Sequence, residues 1–163
     1  MMILSRAALL DLVKSEPKKH KAIVIYEPGQ YELVKDIVDN CESALTLEMD
    51  DTTVLREGSP TKAQVELAIL SNIKIVCCKQ GISRSSAIAF LIESNTTSPE
   101  EAIKILDERK HFPNELILKH GLDILGDKIK KSISGYYQSF AKNKGWQVEM
   151  VTKYFRNNDE SNC

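Results

Sequence analysis

The stretch Ile75-Val76-Cys77-Cys78-Lys79-Gln80-Gly81-Ile82-Ser83-Arg84-Ser85-Ser86 gathers the residue types that could do chemistry. An apolar, β-branched run leads into it, and small and apolar residues lead out of it. The order is therefore strand, short glycine-containing loop, helix. That order aims successive backbone N–H groups at one point and adds the positive end of a helix, an arrangement that suits a phosphate. A cysteine at the base of such a loop sits in a positive field that favours its thiolate. Arg84 can return to the same point and grip two phosphate oxygens with a planar fork, which lysine cannot do. Gly81 supplies backbone freedom or close approach where the loop is tightest. Ser85 is placed to hydrogen-bond the sulfur and help it leave in a second step. Cys78, Arg84 and Ser85 are thus candidate catalytic residues. Lys79, Gln80, Gly81, Ile82 and Ser83 join Arg84 as the candidate phosphate cradle.

The elements that must position this loop follow from periodicity. Residues 6–15 read as a helix with Leu9, Leu10 and Val13 on one side, and residues 22–26 as a short buried strand closed by Pro28 and Gly29. Residues 30–39 carry Leu33, Val34 and Ile37 at helical spacing, and residues 44–49 form a second strand. A polar loop over 50–60 precedes Thr61-Lys62-Ala63-Gln64, a capping-box pattern opening a helix to about Leu70. Residues 73–77 form a third strand and 85–93 a helix. Ser98-Pro99-Glu100-Glu101 and Pro113-Asn114 each start a further helix, the latter with Leu116, Ile117, Leu122 and Leu125 as its apolar face. Alternation of helix and strand predicts an α/β fold with a central, largely parallel sheet flanked by helices. Residues 127–163 read as an appended helical segment. Trp146, Val148, Met150, Val151, Tyr154 and Phe155 are available there for packing, and the end, 157–163, reads as frayed.

Cys-x5-Arg-Ser with glycine three residues after the cysteine resembles the protein tyrosine phosphatase signature, and GISRSSAIAFLI is similar to the dual-specificity branch and to small prokaryotic tyrosine phosphatases. The likeness spans residues 4–126, including the run AIKILDERKHFPNELILKHGLDILG, and sets a phosphatase-like domain (1–126) apart from the C-terminal helical extension (127–163). It implies a tyrosine phosphatase-like fold and hydrolysis of phosphomonoesters. The first expected substrate is phosphotyrosine on proteins or peptides, with dual specificity as an extension. Cys78 would attack phosphorus, an aspartic acid would protonate the leaving oxygen, and water activated by the same aspartate would release phosphate from phosphocysteine. No metal or other cofactor is implied, because Arg84 and the loop amides stabilise the equatorial oxygens. The acid falls at Asp50 or Asp51. Asp51 is preferred because the resemblance places an acid followed by threonine here, and Asp51-Thr52 matches. One departure stands out: Cys77 occupies the place where the family usually has histidine, and sulfur is a poor hydrogen-bond donor. It leaves a phosphate-binding pseudophosphatase as an alternative, beside RNA 5′-phosphatase and inositide phosphatase. A single lysine in the loop weighs against the inositide.

Bulk properties bound the partners. The 163 residues suffice for one domain with a hydrophobic core, and a formal net charge of -1 gives no global pull toward nucleic acid or anionic membrane, so an anion site must be built locally. No stretch is long and apolar enough to span a bilayer, and the N-terminus, interrupted by Arg6 and Asp11, lacks the pattern of a signal peptide. Cys41, Cys77, Cys78 and Cys163 make a poor disulfide framework, which points to a reducing cytoplasm. No second Cys or His pair sits at metal-ligand spacing, and His20, His111 and His120 read as surface or helix-face residues. Lys128, Lys130 and Lys131 near Tyr136 and Tyr137 read as a solvated helix face before a nucleic-acid surface.

Overall fold

Apolar runs without alternation belong to strands covered on both faces. In the computed structural model of the chain, which describes residues 1–146, the elements run β1 (Met2–Ser5), α1 (Arg6–Ser15), β2 (Lys21–Tyr26), α2 (Lys35–Asn40), β3 (Ser43–Glu48), α3 (Lys62–Ser71), β4 (Ile75–Cys78), α4 (Arg84–Thr96), α5 (Pro99–Ala102), α6 (Glu115–Leu125) and α7 (Lys130–Lys144). The four strands are all parallel, in the order β1-β4-β2-β3. The protein is α/β, with a parallel central sheet flanked by helices. No helix among the described residues is long and apolar enough to cross a membrane.

Successive strand side chains point to opposite faces. On one face, Ile23, Ile25, Leu47, Met49, Val76 and Cys78 pack with α3, α4, α6 and α7 in the larger core. On the other, Leu9 and Val13 of α1, with Val34 and Ile37, cover Ala22, Val24, Ile75 and Cys77. The adjacent cysteines therefore belong to different layers.

Several local expectations are corrected. The sheet has a strand before α1 that the pattern did not reveal. β1 is four residues long, lies at the sheet edge and passes straight into α1 at Ser5, whose side chain caps the helix by accepting from the Ala8 amide. Residues 30–39 are not one helix. A 3-10 turn at Tyr31–Leu33 precedes α2, and its tighter winding leaves Leu33 59% exposed while Val34 and Ile37 are buried. The Ser98 start is real, since its side chain accepts from the Glu101 amide. The helix nevertheless lasts only to Ala102 and a 3-10 turn at Ile103–Ile105, after which Leu106 goes extended and enters the core. The Thr61–Gln64 capping box is formed at the start of α3.

Residues 127–144 are helical and share the larger core, through Ile129, Ile133, Tyr136, Tyr137, Phe140 and Ala141. The Tyr136 hydroxyl donates to the His111 carbonyl at 2.7 Å, and that of Tyr137 to the Pro113 carbonyl. Both tyrosines are therefore turned away from the surface that carries Lys128 and Lys131. Trp146, half exposed, meets Phe140 with ring centroids 5.6 Å apart. Val148, Met150, Val151, Tyr154, Phe155 and the 157–163 end lie outside the described residues.

Candidate active site

Parallel α/β sheets gather ligands at the carboxyl ends of their strands, where the chain turns into loops. Three such ends meet here: Glu27 after β2, Asp50 and Asp51 after β3, and Cys78 at the end of β4. A cavity of about 380 Å³ is lined by Glu27, Asp51, Cys78, Lys79, Gln80, Ile82, Ser83 and Arg84.

The loop between β4 and α4 is pinned from outside. The carbonyl of Lys79 accepts from the Arg6 amide at 3.3 Å, that of Ile82 from Phe112 at 3.1 Å and that of Ser83 from Asn114 at 3.2 Å. The peptides are trans, so the amides of Gln80, Ser83 and Arg84 point the opposite way, away from the segments that hold the loop. Gly81 takes a left-handed backbone (φ +70°), and a Cβ there would lie 2.7 Å from backbone atoms of Leu4 and Ser5. Both the conformation and the close approach to β1 require glycine.

Cys78 is 2% exposed, and its Sγ lies 3.2 Å from Oγ of the fully buried Ser85. Arg84, also 2% exposed, is held on two nitrogens. Nη1 donates to the Met49 carbonyl and Nη2 to Glu27 Oε1, each at 2.8 Å. Its Nε is buried without a hydrogen-bond partner. The nearest carboxylate oxygen paired with it is Asp51 Oδ2, at 3.7 Å, too far for a hydrogen bond. Glu27 bridges two guanidinium groups, since its Oε2 accepts from Arg6 Nη2 at 3.0 Å. Burial favours the neutral form of Glu27, but the hydrogen bonds and charge of Arg84, helped by Arg6, outweigh it and hold the carboxyl below its usual range.

Asp50 and Asp51 diverge. Asp51 Oδ1 accepts from Ser83 Oγ at 2.7 Å and from Asn114 Nδ2 at 2.9 Å, which ties it to the cavity. Asp50 turns back into its own loop, with its amide on the Gly58 carbonyl and its carboxylate 3.3 Å from Arg56 Nη2, and it does not line the cavity. Lys79 and Gln80 are exposed at the cavity edge. Cys77 cannot reach the Cys78 sulfur from the opposite layer. Burial, with the neighbouring Cys78 adding to it, pushes its thiol up to about 12.

The expectation of three surface histidines is corrected at His111. It is 6% exposed, and its Nδ1 accepts from the Asp107 amide at 2.9 Å. Burial, then the Lys110 charge, lowers its pKa. Glu27, Arg6 and Asn114 were missed from the sequence. Glu27 carried one usable signal, its place immediately after a buried strand of a parallel sheet.

No protein-family model, curated protein or solved structure matches the chain.

Proposed function

We propose that the chain is a cysteine-dependent phosphatase of the tyrosine/dual-specificity type, with a fold of that family. It hydrolyses phosphomonoesters, phosphotyrosine on proteins foremost, through a phosphocysteine intermediate. One observation carries this reading: Cys78 and Arg84, the latter buried with an unpartnered Nε, line a single cavity, and the buried Ser85 hydroxyl lies 3.2 Å from the Cys78 sulfur. A buried guanidinium N–H without an acceptor is costly to leave unmade. One phosphate oxygen would accept from that Nε–H and a second from a neighbouring Nη N–H, as a fork, with Glu27 and the Met49 carbonyl fixing the plane of the group.

The chemistry runs in two steps. Cys78 Sγ attacks phosphorus as the bond to the leaving oxygen breaks, and Asp51 gives that oxygen its proton. Oδ1 of Asp51 is occupied by Ser83 and Asn114, which leaves Oδ2 to carry the proton. Asp51 then takes a proton from water, which attacks the phosphocysteine. Sγ departs beside Ser85 Oγ, and phosphate is released. Arg84 and the loop amides hold the equatorial oxygens throughout. The three described cysteines, Cys41, Cys77 and Cys78, are unbridged, in keeping with a reducing cytoplasm as the place of action.

Cys78→Ser tests the reading. Turnover of an aryl phosphate is expected to vanish while vanadate or phosphate binding, measured by calorimetry, persists on the intact cradle. Hydrolysis at the wild-type rate by Cys78→Ser would sink the mechanism.

A further inference from the structure

Asn114 stands where three parts of the site meet, and every hydrogen-bonding group it has is used. The side chain is 3% exposed. Its Nδ2 donates to Asp51 Oδ1 at 2.9 Å and to the Thr52 carbonyl at 3.1 Å, both in the loop of residues 50–60. Its Oδ1 accepts from the Leu116 and Ile117 amides, each at 3.1 Å, capping α6. Its own amide donates to the Ser83 carbonyl at 3.2 Å, in the phosphate loop. A flipped amide would set oxygen against oxygen and N–H against N–H, so this network admits one orientation. One residue, by side chain and backbone together, thus fixes the distance between the acid loop, the phosphate loop and a helix of the main core.

We propose that Asn114 is the latch of the acid loop, a positioning residue that holds Asp51 over the cavity for proton transfer, a role that rests on the phosphatase reading above. Val54 and Leu55 are 61% and 67% exposed, and the Asp51 side chain is 41% exposed. The other ties on the Asp51 side chain are one hydrogen bond, from the Ser83 hydroxyl, and the ion pair with Arg84 Nε at 3.7 Å. A carboxyl that must give and retake a proton at a fixed place needs its carrying oxygen held within a fraction of an ångström. The Asn114 amide supplies that hold without a charge of its own.

Capping and latching are separable by mutation. Serine caps helices as well as asparagine does, but it is too short to reach Asp51. Aspartate also caps, and it would set a second carboxylate against Asp51. Asn114→Ser and Asn114→Asp are therefore compared with the wild type in two measurements. By hydrogen exchange, residues 50–60 are expected to exchange about tenfold faster in both variants, while α6 stays unchanged. In turnover, kcat on an unactivated alkyl or aryl phosphate should fall roughly 10-fold to 100-fold, against less than about 3-fold on dinitrophenyl phosphate. In an Asp51→Asn background, Asn114→Ser should add nothing further. Unchanged exchange over 50–60 overturns the latch. Equal losses on both substrates, with Asp51→Asn still selective, overturn the positioning role alone. Absence of turnover in the wild-type chain removes the phosphatase reading and the positioning role with it, and is told apart from a failed latch by an exchange effect that persists.

Discussion

The loop of residues 79–83 and the loop of residues 50–60 border the same cavity and are held in different ways. The first has backbone carbonyls bonded to amides of Arg6, Phe112 and Asn114, from two separate segments, and its glycine is pressed against β1. The second exposes Val54 and Leu55, bonds largely to itself through Asp50, Arg56 and Gly58, and reaches the site through Asp51 and Thr52. In the proposed phosphatase, charge binding would be built into the backbone, where preorganisation is worth most. The proposed proton donor, Asp51, would hang on a few side-chain bonds. The anion cradle should therefore survive damage to the acid loop, and the two functions should come apart under mutation.

The largest effect should come from breaking the first region. Arg84→Lys keeps the charge but loses the fork, and kcat is expected to fall about 10³-fold in a protein that remains folded. Near-normal steady-state turnover would remove Arg84 from the role of clamp, and with it the contrast between the loops. Asp51→Asn addresses the second region. Unactivated substrates should slow by about 10²-fold, while activated aryl phosphates and anion binding stay close to wild type. Asp50→Asn is the control, because it touches only the pairing with Arg56 and should leave both substrates unaffected. If Asp50→Asn is the variant that discriminates between leaving groups, the acid is the other member of the pair.

The smallest effect is predicted for Cys77→Ala. Cys77 lies in the smaller core on the far face of the sheet, so its loss should cost about 1 kcal/mol in urea denaturation and leave kcat unchanged. A histidine there would have to enter a closed apolar layer with Leu9, Val13 and Val24, so destabilisation is expected before any gain in reactivity. A large loss of turnover in a folded Cys77→Ala protein would show that the two faces of the sheet are coupled.

The same contrast explains what the sequence disclosed. Cys78, Gly81, Arg84 and Ser85 were legible because strand, loop and helix are consecutive, so spacing alone encodes their convergence. Asp51 was preferred to Asp50 only through the Thr52 that follows it, since which of two adjacent side chains faces the cavity depends on the Asp50 amide bonding to Gly58. Glu27 and Asn114 are 57 and 30 residues from Arg84 in the chain and meet the site through sheet order and helix packing, which no local pattern records. β1 was invisible because four residues at a sheet edge carry too little pattern, although its backbone is what excludes a side chain at Gly81. His111 was misplaced for a related reason: its burial depends on the far-off α7, through Tyr136.

A Cys78 nucleophile would carry the phosphoryl group between the two steps, where the covalent intermediate can be trapped. Asp51→Asn protein, in which the step that needs water activation is slowed, is mixed with dinitrophenyl phosphate and quenched in acid within the first turnover, and its peptides are read by mass spectrometry. A phosphoryl group on Cys78, absent when Cys78→Ser is combined with Asp51→Asn, is the predicted result. Turnover with the phosphoryl group on another residue, or with no phosphoenzyme at any quench time, would contradict it.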